Sequence, residues 1–124
     1  MKKYSILVMA AAFLIAFACT KKENDTTAPV ITIASPTENQ MFNAGDSVTV
    51  SFTVTDEDLH GYSFAIIKTA TSDTIVDADI DTHANASVNE IFELVDAATQ
   101  YKLVVGAEDH TGNTSTKSVN FHTM

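Results

Sequence analysis

Arginine and tryptophan are missing from these 124 residues, and cysteine occurs once. Without arginine, seven lysines stand against 16 acidic residues, for a formal net charge of −9. Such a surface repels phosphate polymers, which excludes nucleic acid as a partner and argues against binding of anionic headgroups by the domain itself. Divalent cations and basic or neutral ligands remain compatible with it. A lone cysteine excludes an internal disulfide, so the core must hold together without a staple. Long apolar runs are scarce too. Tyr4 to Ala18 is uncharged and mostly apolar, but its 15 residues fall short of the roughly 20 that a membrane-spanning helix needs. No nucleophile elbow, phosphate loop, HExxH pair or Ser-His-Asp context is visible, and the expectation is a protein that is not an enzyme.

What is present begins with an address. Lys2 and Lys3 form a positive start, Tyr4–Ala18 an apolar middle, and small residues precede a polar segment. That is the secretory signal pattern. The junction Ala16-Phe17-Ala18-Cys19 resembles the lipobox of bacterial lipoproteins, in which the cysteine thiol is lipidated and becomes the first residue of the mature chain. The resemblance implies a signal peptide over 1–18, lipid attachment at Cys19, and a membrane as partner through the lipid anchor. A plain signal peptide with an incidental cysteine, or an uncleaved anchor, is the alternative. Lipidation would consume the one thiol that otherwise stays unpaired. Once Lys2 and Lys3 are removed, five lysines face 16 acids, a formal −11. Residues 19–28 read as the lipidated cysteine and a flexible tether, with Thr20–Ala28 polar and aperiodic. About nine extended residues reach roughly 30 Å, enough to lift a domain clear of the headgroups. Lys21-Lys22-Glu23-Asn24-Asp25 partly resembles the charged stretch that directs Bacteroidetes lipoproteins to the cell surface. The implied location is the cell envelope, at the outer membrane or cell surface.

From Pro29 the hydrophobic period becomes two. Ile31 and Ile33 share one face. Val48, Val50, Phe52 and Val54 alternate with Thr49, Ser51, Thr53 and Thr55. Tyr62, Phe64 and Ile66 follow in register, then an aspartate-rich strand around Asp77 and Asp79, whose charges suit a sheet edge. Phe92 and Leu94, then Tyr101, Leu103, Val105 and Ala107, then Val119 and Phe121 complete the pattern. Met41 and Phe42 form a small apolar island in a turn-rich stretch. Seven short alternating strands with turn signals between them predict an all-β sandwich over 29–124.

The run Leu94…Thr99-x-Tyr101-x-Leu103-x-Val105-x-Ala107-x-Asp109-x-x-Gly112-Asn113 resembles the E–F corner and F–G hairpin of fibronectin type III and related bacterial Ig-like domains. Pro29-x-Ile31-x-Ile33 and Gly45-Asp46-Ser47-Val48 resemble the A and B strands of Ig-like modules on Bacteroidetes surface lipoproteins. The resemblance implies a seven-stranded Ig-like β-sandwich. Tyr101 would be its corner tyrosine, with the hydroxyl bonded back to backbone, and Gly112 its hairpin glycine. The usual buried tryptophan is absent, which leaves Phe52 or Phe64 to fill that space. Such a sandwich hosts many roles. A binding or adhesion module with a protein or glycan partner, an accessory subunit, and a structural spacer all fit it.

Four histidines occur: His60, His83, His110 and His122. In the strand order of that fold, His60, His83 and His110 come to one end of the sandwich, with Asp56, Glu57, Asp58, Asp81 and Asp109 nearby. His122 belongs to the other end. Neutral imidazoles with carboxylates suit Zn or Cu, whereas carboxylates alone would suit Ca. The candidate metal set is therefore His60, His83, His110, Asp58 and Asp109. Exposed loop histidines beside solvated turn acids are the competing reading.

Overall fold

The structure, a computed structural model, describes residues 25–124. The apolar run and Cys19 lie outside the described residues. Eight strands follow one another: β1 (Val30–Ser35), β2 (Gln40–Phe42), β3 (Ser47–Thr55), β4 (Leu59–Lys68), β5 (Thr74–Asp81), β6 (Ala86–Glu93), β7 (Gln100–Asp109) and β8 (Thr114–Thr123). They form a three-stranded sheet, β1-β3-β6, and a five-stranded sheet, β2-β8-β7-β4-β5. Every pairing is antiparallel except β2 with β8.

The alternation in the sequence accounts for this layering. In β3, Val48, Val50, Phe52 and Val54 are all buried, and the residues between them face outward. Across the gap they meet Leu59, Phe64 and Ile66 from β4, Tyr101, Leu103 and Val105 from β7, and Phe121 from β8. A strand places successive side chains on opposite faces, so a one-residue slip would turn this whole set to water. Phe52 and Phe64 are both buried in this core. Phe52 meets the rings of Tyr62 and Phe64 edge-on, at centroid distances of 5.8 and 5.4 Å.

Eight strands stand where the sequence predicts seven. The additional one is β2, the Met41–Phe42 island, which pairs with the last residues of β8. Three residues are too few to show a period. What holds them is tertiary: Phe42 sets its ring edge-on against Phe121 at 5.9 Å. The aspartate-rich β5 is an edge strand, as its charges suggest.

Tyr101 is 1% exposed and stacks on Phe121 at 5.3 Å. The implied hydroxyl bond back to backbone is not made among the described residues. The phenol instead lies within electrostatic reach of Lys68, whose ammonium pairs with Asp96 at 2.6 Å. The Asp96 carboxylate raises the Lys68 ammonium above its usual range, with smaller help from the other charges around it.

The stretch read as a tether is shorter than the sequence suggests. Asn113 Nδ2 donates to the Asp25 carbonyl at 2.9 Å and Thr111 Oγ1 to the same oxygen at 3.4 Å. Ser115 Oγ donates to the Pro29 carbonyl at 2.5 Å. Residues 25–29 are thus fastened along the β7–β8 hairpin. A run of polar residues has no period that would reveal such fastening, because the donors lie some 86–88 positions away in sequence.

Candidate metal centre

Register delivers three histidines to one place. Leu59 pairs with Asp109, and Gly61 pairs with both Glu108 and Asp81. The start of β4, the end of β5 and the end of β7 therefore share one end of the five-stranded sheet.

His60 sits at an irregularity in that register. Between Leu59 and Gly61 the pairing with β7 shifts by one residue, so His60 is the extra residue of a bulge. A bulge re-aims the side chain it carries. Leu59 accordingly points into the core at 1% exposure while His60 stands in solvent. Gly61 follows because β5 runs so close that a Cβ there would lie 2.8 Å from the Ile80 carbonyl oxygen. Thr82 N donates to His60 O at 3.2 Å, which brings the next residue, His83, alongside.

His110 is held from behind. Its backbone N donates to the Asp58 carbonyl at 3.1 Å, and its Nδ1 lies 3.0 Å from that oxygen and 3.2 Å from Asp58 Oδ1. Both neighbours are acceptors, so the proton belongs on Nδ1. In the neutral ring this leaves Nε2 as the lone-pair nitrogen. An oxygen partner behind an imidazole that fixes its tautomer is the usual support of a metal-binding histidine.

The three rings form a compact group. His83 stacks on His110 at 4.8 Å with an interplanar angle of 23°, His60 meets His110 edge-on at 4.9 Å, and His60 and His83 are 6.3 Å apart. One nitrogen from each ring lies within 4.8 Å of the others. Tetrahedral Zn–N bonds of about 2.0–2.1 Å place nitrogens about 3.4 Å apart. The rings need to close by roughly 1.5 Å at most, a movement within reach of small χ rotations in exposed side chains. Three nitrogen donors favour Zn or Cu over the oxygen-seeking Ca and Mg. Such a set leaves at least one coordination position open to water or another ligand.

The two aspartates placed in the candidate set have other duties. Asp58 supports His110 and belongs behind the ring. Asp109 is 1% exposed and turned into the hairpin. Its Oδ1 accepts from Thr111 N, Thr111 Oγ1 and Asn113 N at 2.8, 2.8 and 2.9 Å, and its Oδ2 from Asn113 Nδ2 at 2.7 Å. Burial pushes this carboxyl up, but the hydrogen bonds from Asn113 and Thr111 outweigh it and hold it at about 2. Asp109 thereby shapes the turn that presents His110. Gly112, at φ +89°, supplies the left-handed conformation the same turn needs. Asp56 Oδ1 accepts from Asp58 N at 2.7 Å and orders the β3–β4 loop. His122, opposite Gln100, lies at the other end of β8.

A trough of about 400 Å³ begins at His60 and runs over the outer face of the five-stranded sheet. Ser63, Gly106 and Thr116 form part of its lining, with Asp79, Asp81 and Glu108 contributing carboxylates. Its floor is open because the residues that face outward there are small. Sequence reasoning missed this trough and the bulge at His60. The signal for both was the glycine at 61 followed by small residues at every second position.

A family model described as bacterial Ig domain matches residues 29–121. No curated protein matches. Among solved structures, an engineered protein is similar at a TM-score of 0.56 and 17% identity, over 77% of this chain and 20% of that one. The sporulation control protein Spo0M of Bacillus subtilis is similar at 0.51 and 11%, over 78% of this chain and 49% of that one. Fibronectin(III)-like modules of Clostridium thermocellum CbhA align at 0.47 and 14%, over 76% and 96%. The chain thus spans about a fifth of the first of these and about half of the second.

Proposed function

Because the chain belongs to the bacterial Ig domain family over residues 29–121, a family that supplies binding and spacer modules, we propose that it is a binding module of the bacterial cell envelope whose ligand is a divalent transition metal. The observation that carries this reading is the convergence of His60, His83 and His110, with nitrogens within 4.8 Å. Three separate segments supply these residues, and Asp58 orients one of them from behind. Exposure of all three rings suits an ion that exchanges with its surroundings. Zn and Cu fit the donor set best. Cys19 is the proposed lipid attachment, which would hold the module on a membrane without spanning it, since two or more acyl chains anchor stably.

Calorimetric titration tests the metal reading. A chain beginning at Thr20, free of the lipidation cysteine, is titrated with Zn²⁺ and with Cu²⁺, beside His60→Ala/His83→Ala/His110→Ala. The parent is expected to release heat at one ion per chain and to melt higher, and the triple variant to do neither. At an ion concentration about 100 times Kd the gain is about 2.7 kcal/mol. Absence of both heat and melting shift in the parent ends the proposal.

A second reading rests on the trough beside His60. Carboxylates and hydroxyls along a polar floor suit the hydroxyl groups of a glycan. Glycan-array binding that survives His83→Ala/His110→Ala, which leaves the trough lining intact, but fails in Asp79→Ala/Glu108→Ala would support it over the metal reading.

A further inference from the structure

The hydrogen bonds that fasten residues 25–29 also decide which way the domain faces. Asp25 is the last described residue toward Cys19, and its carbonyl is held by Asn113 and Thr111. Those two residues belong to the hairpin turn that carries His110. The chain therefore leaves the domain beside the histidine cluster, at the end of the sandwich where β4 begins and β5 and β7 finish.

We propose that the His60–His83–His110 end faces the membrane that holds the chain, so that the ion site works at the headgroup layer. The proposal rests on the lipid anchor at Cys19 and on the metal reading above. Six residue steps separate Cys19 from Asp25, and fully extended they span about 20 Å. The cluster adjoins Asp25 through His110 and Thr111, so it stays near the membrane whichever way the domain tips. The opposite end comes near it only when the domain tips onto its side. It is separated from the cluster by the length of β7, ten residues or roughly 33 Å, and carries the β4–β5 and β6–β7 connections.

This placement has a chemical consequence. The histidine end also carries Asp56, Glu57 and Asp58, acids that anionic headgroups repel. A bound divalent ion offsets that charge locally. An anionic leaflet with a surface potential of about −30 mV concentrates a divalent cation roughly tenfold at its surface, so a site within a Debye length of it, about 8 Å, fills at lower bulk concentration than the same site in free solution. The partner that fits such an end is an ion exchanged with the membrane surface or with a membrane-embedded protein. A large soluble protein docking end-on does not fit there.

The test uses the full lipidated chain reconstituted in liposomes, with Cys19 consumed by lipid and one new cysteine for a fluorophore. Ala84→Cys reports the histidine end and Ala97→Cys the far end; both positions are exposed. Headgroup spin-labelled lipid is expected to quench the Ala84 label several-fold more than the Ala97 label. Equal quenching, or stronger quenching at Ala97, overturns the proposed orientation while flotation with liposomes still upholds the anchor. Failure to float overturns the anchor and the proposal with it. Zn²⁺ titration of the same liposomes completes the test. A quenching gradient without zinc uptake overturns the ion site at that end.

Discussion

Phe52→Ala is the substitution that most directly tests how this sandwich holds together. The ring is 1% exposed and belongs to β3 of the smaller sheet, yet its aromatic neighbours, Tyr62 and Phe64, belong to β4 of the larger one. Truncation removes the transfer free energy of the ring and leaves a cavity between two sheets that cannot collapse freely, a loss of about 3–5 kcal/mol. Two edge-to-face contacts disappear as well, each worth about 0.5–1.5 kcal/mol beyond area, and some of that overlaps the truncation figure. We take about 4 kcal/mol. For a domain of about 100 residues, whose whole stability is roughly 5–15 kcal/mol, this lowers the melting temperature by about 20 °C. Phe52→Leu keeps most of the volume and should cost about 1–1.5 kcal/mol. Urea denaturation of parent and both variants measures these losses. A cost below about 1 kcal/mol for Phe52→Ala would refute the claim that this ring joins the sheets. His60 begins β4 and His110 follows β7 of the larger sheet, while His83 lies in the β5–β6 connection; none touches Phe52, so Phe52→Leu should leave zinc binding unchanged.

Asp109 gives a prediction with a defined pH window. Its folded pKa, about 2, lies below the unfolded value of 3.8, so it adds stability above the unfolded value and loses it as pH falls through the folded one. Asp109→Asn should be less stable than the parent at neutral pH, and the gap should close between about pH 4 and pH 2 in melting curves; a gap independent of pH would count against it. Gly61→Ala should push β5 away at Ile80, cost about 1–3 kcal/mol and weaken zinc affinity by moving His83; unchanged affinity in a folded variant would separate the bulge from the site. Cys19→Ser should move the full chain from the detergent phase to the aqueous phase, and continued partitioning into detergent would remove the lipoprotein reading.

The faces of the long strands are legible in the sequence because each strand has one wet side. Val48 to Val54 and Tyr101 to Ala107 announce their buried side by strict alternation, and burial follows it residue by residue. β2 is not legible, since three residues carry no period and are defined by a partner at the other end of the chain. At the site, strand order alone suffices to gather His60, His83 and His110. It cannot assign the acids. Asp58 and Asp109 sit within two residues of a histidine in space or sequence, and composition makes both look like ligands. Only hydrogen-bond direction separates them: Asp109 is filled by Thr111 and Asn113, and Asp58 stands behind the ring. The fastening of residues 25–29 is hidden for the same reason, since Asn113 and Ser115 give no sign in sequence of which carbonyls they seek.

The parallel pairing of β2 with β8 has a mechanical meaning. Gln40, Met41 and Phe42 run beside Phe121, His122 and Thr123 in the same direction, and Met124 N donates to Phe42 O at 2.9 Å. The chain enters the sandwich at the histidine end, and β8 runs from there to the opposite one. Opposed pulls along the strand axes on Gln40 and Met124 would therefore slide β2 and β8 past each other along their length. Their bonds bear that load together, as a lap joint does, where an antiparallel hairpin pulled from its open end would unzip rung by rung.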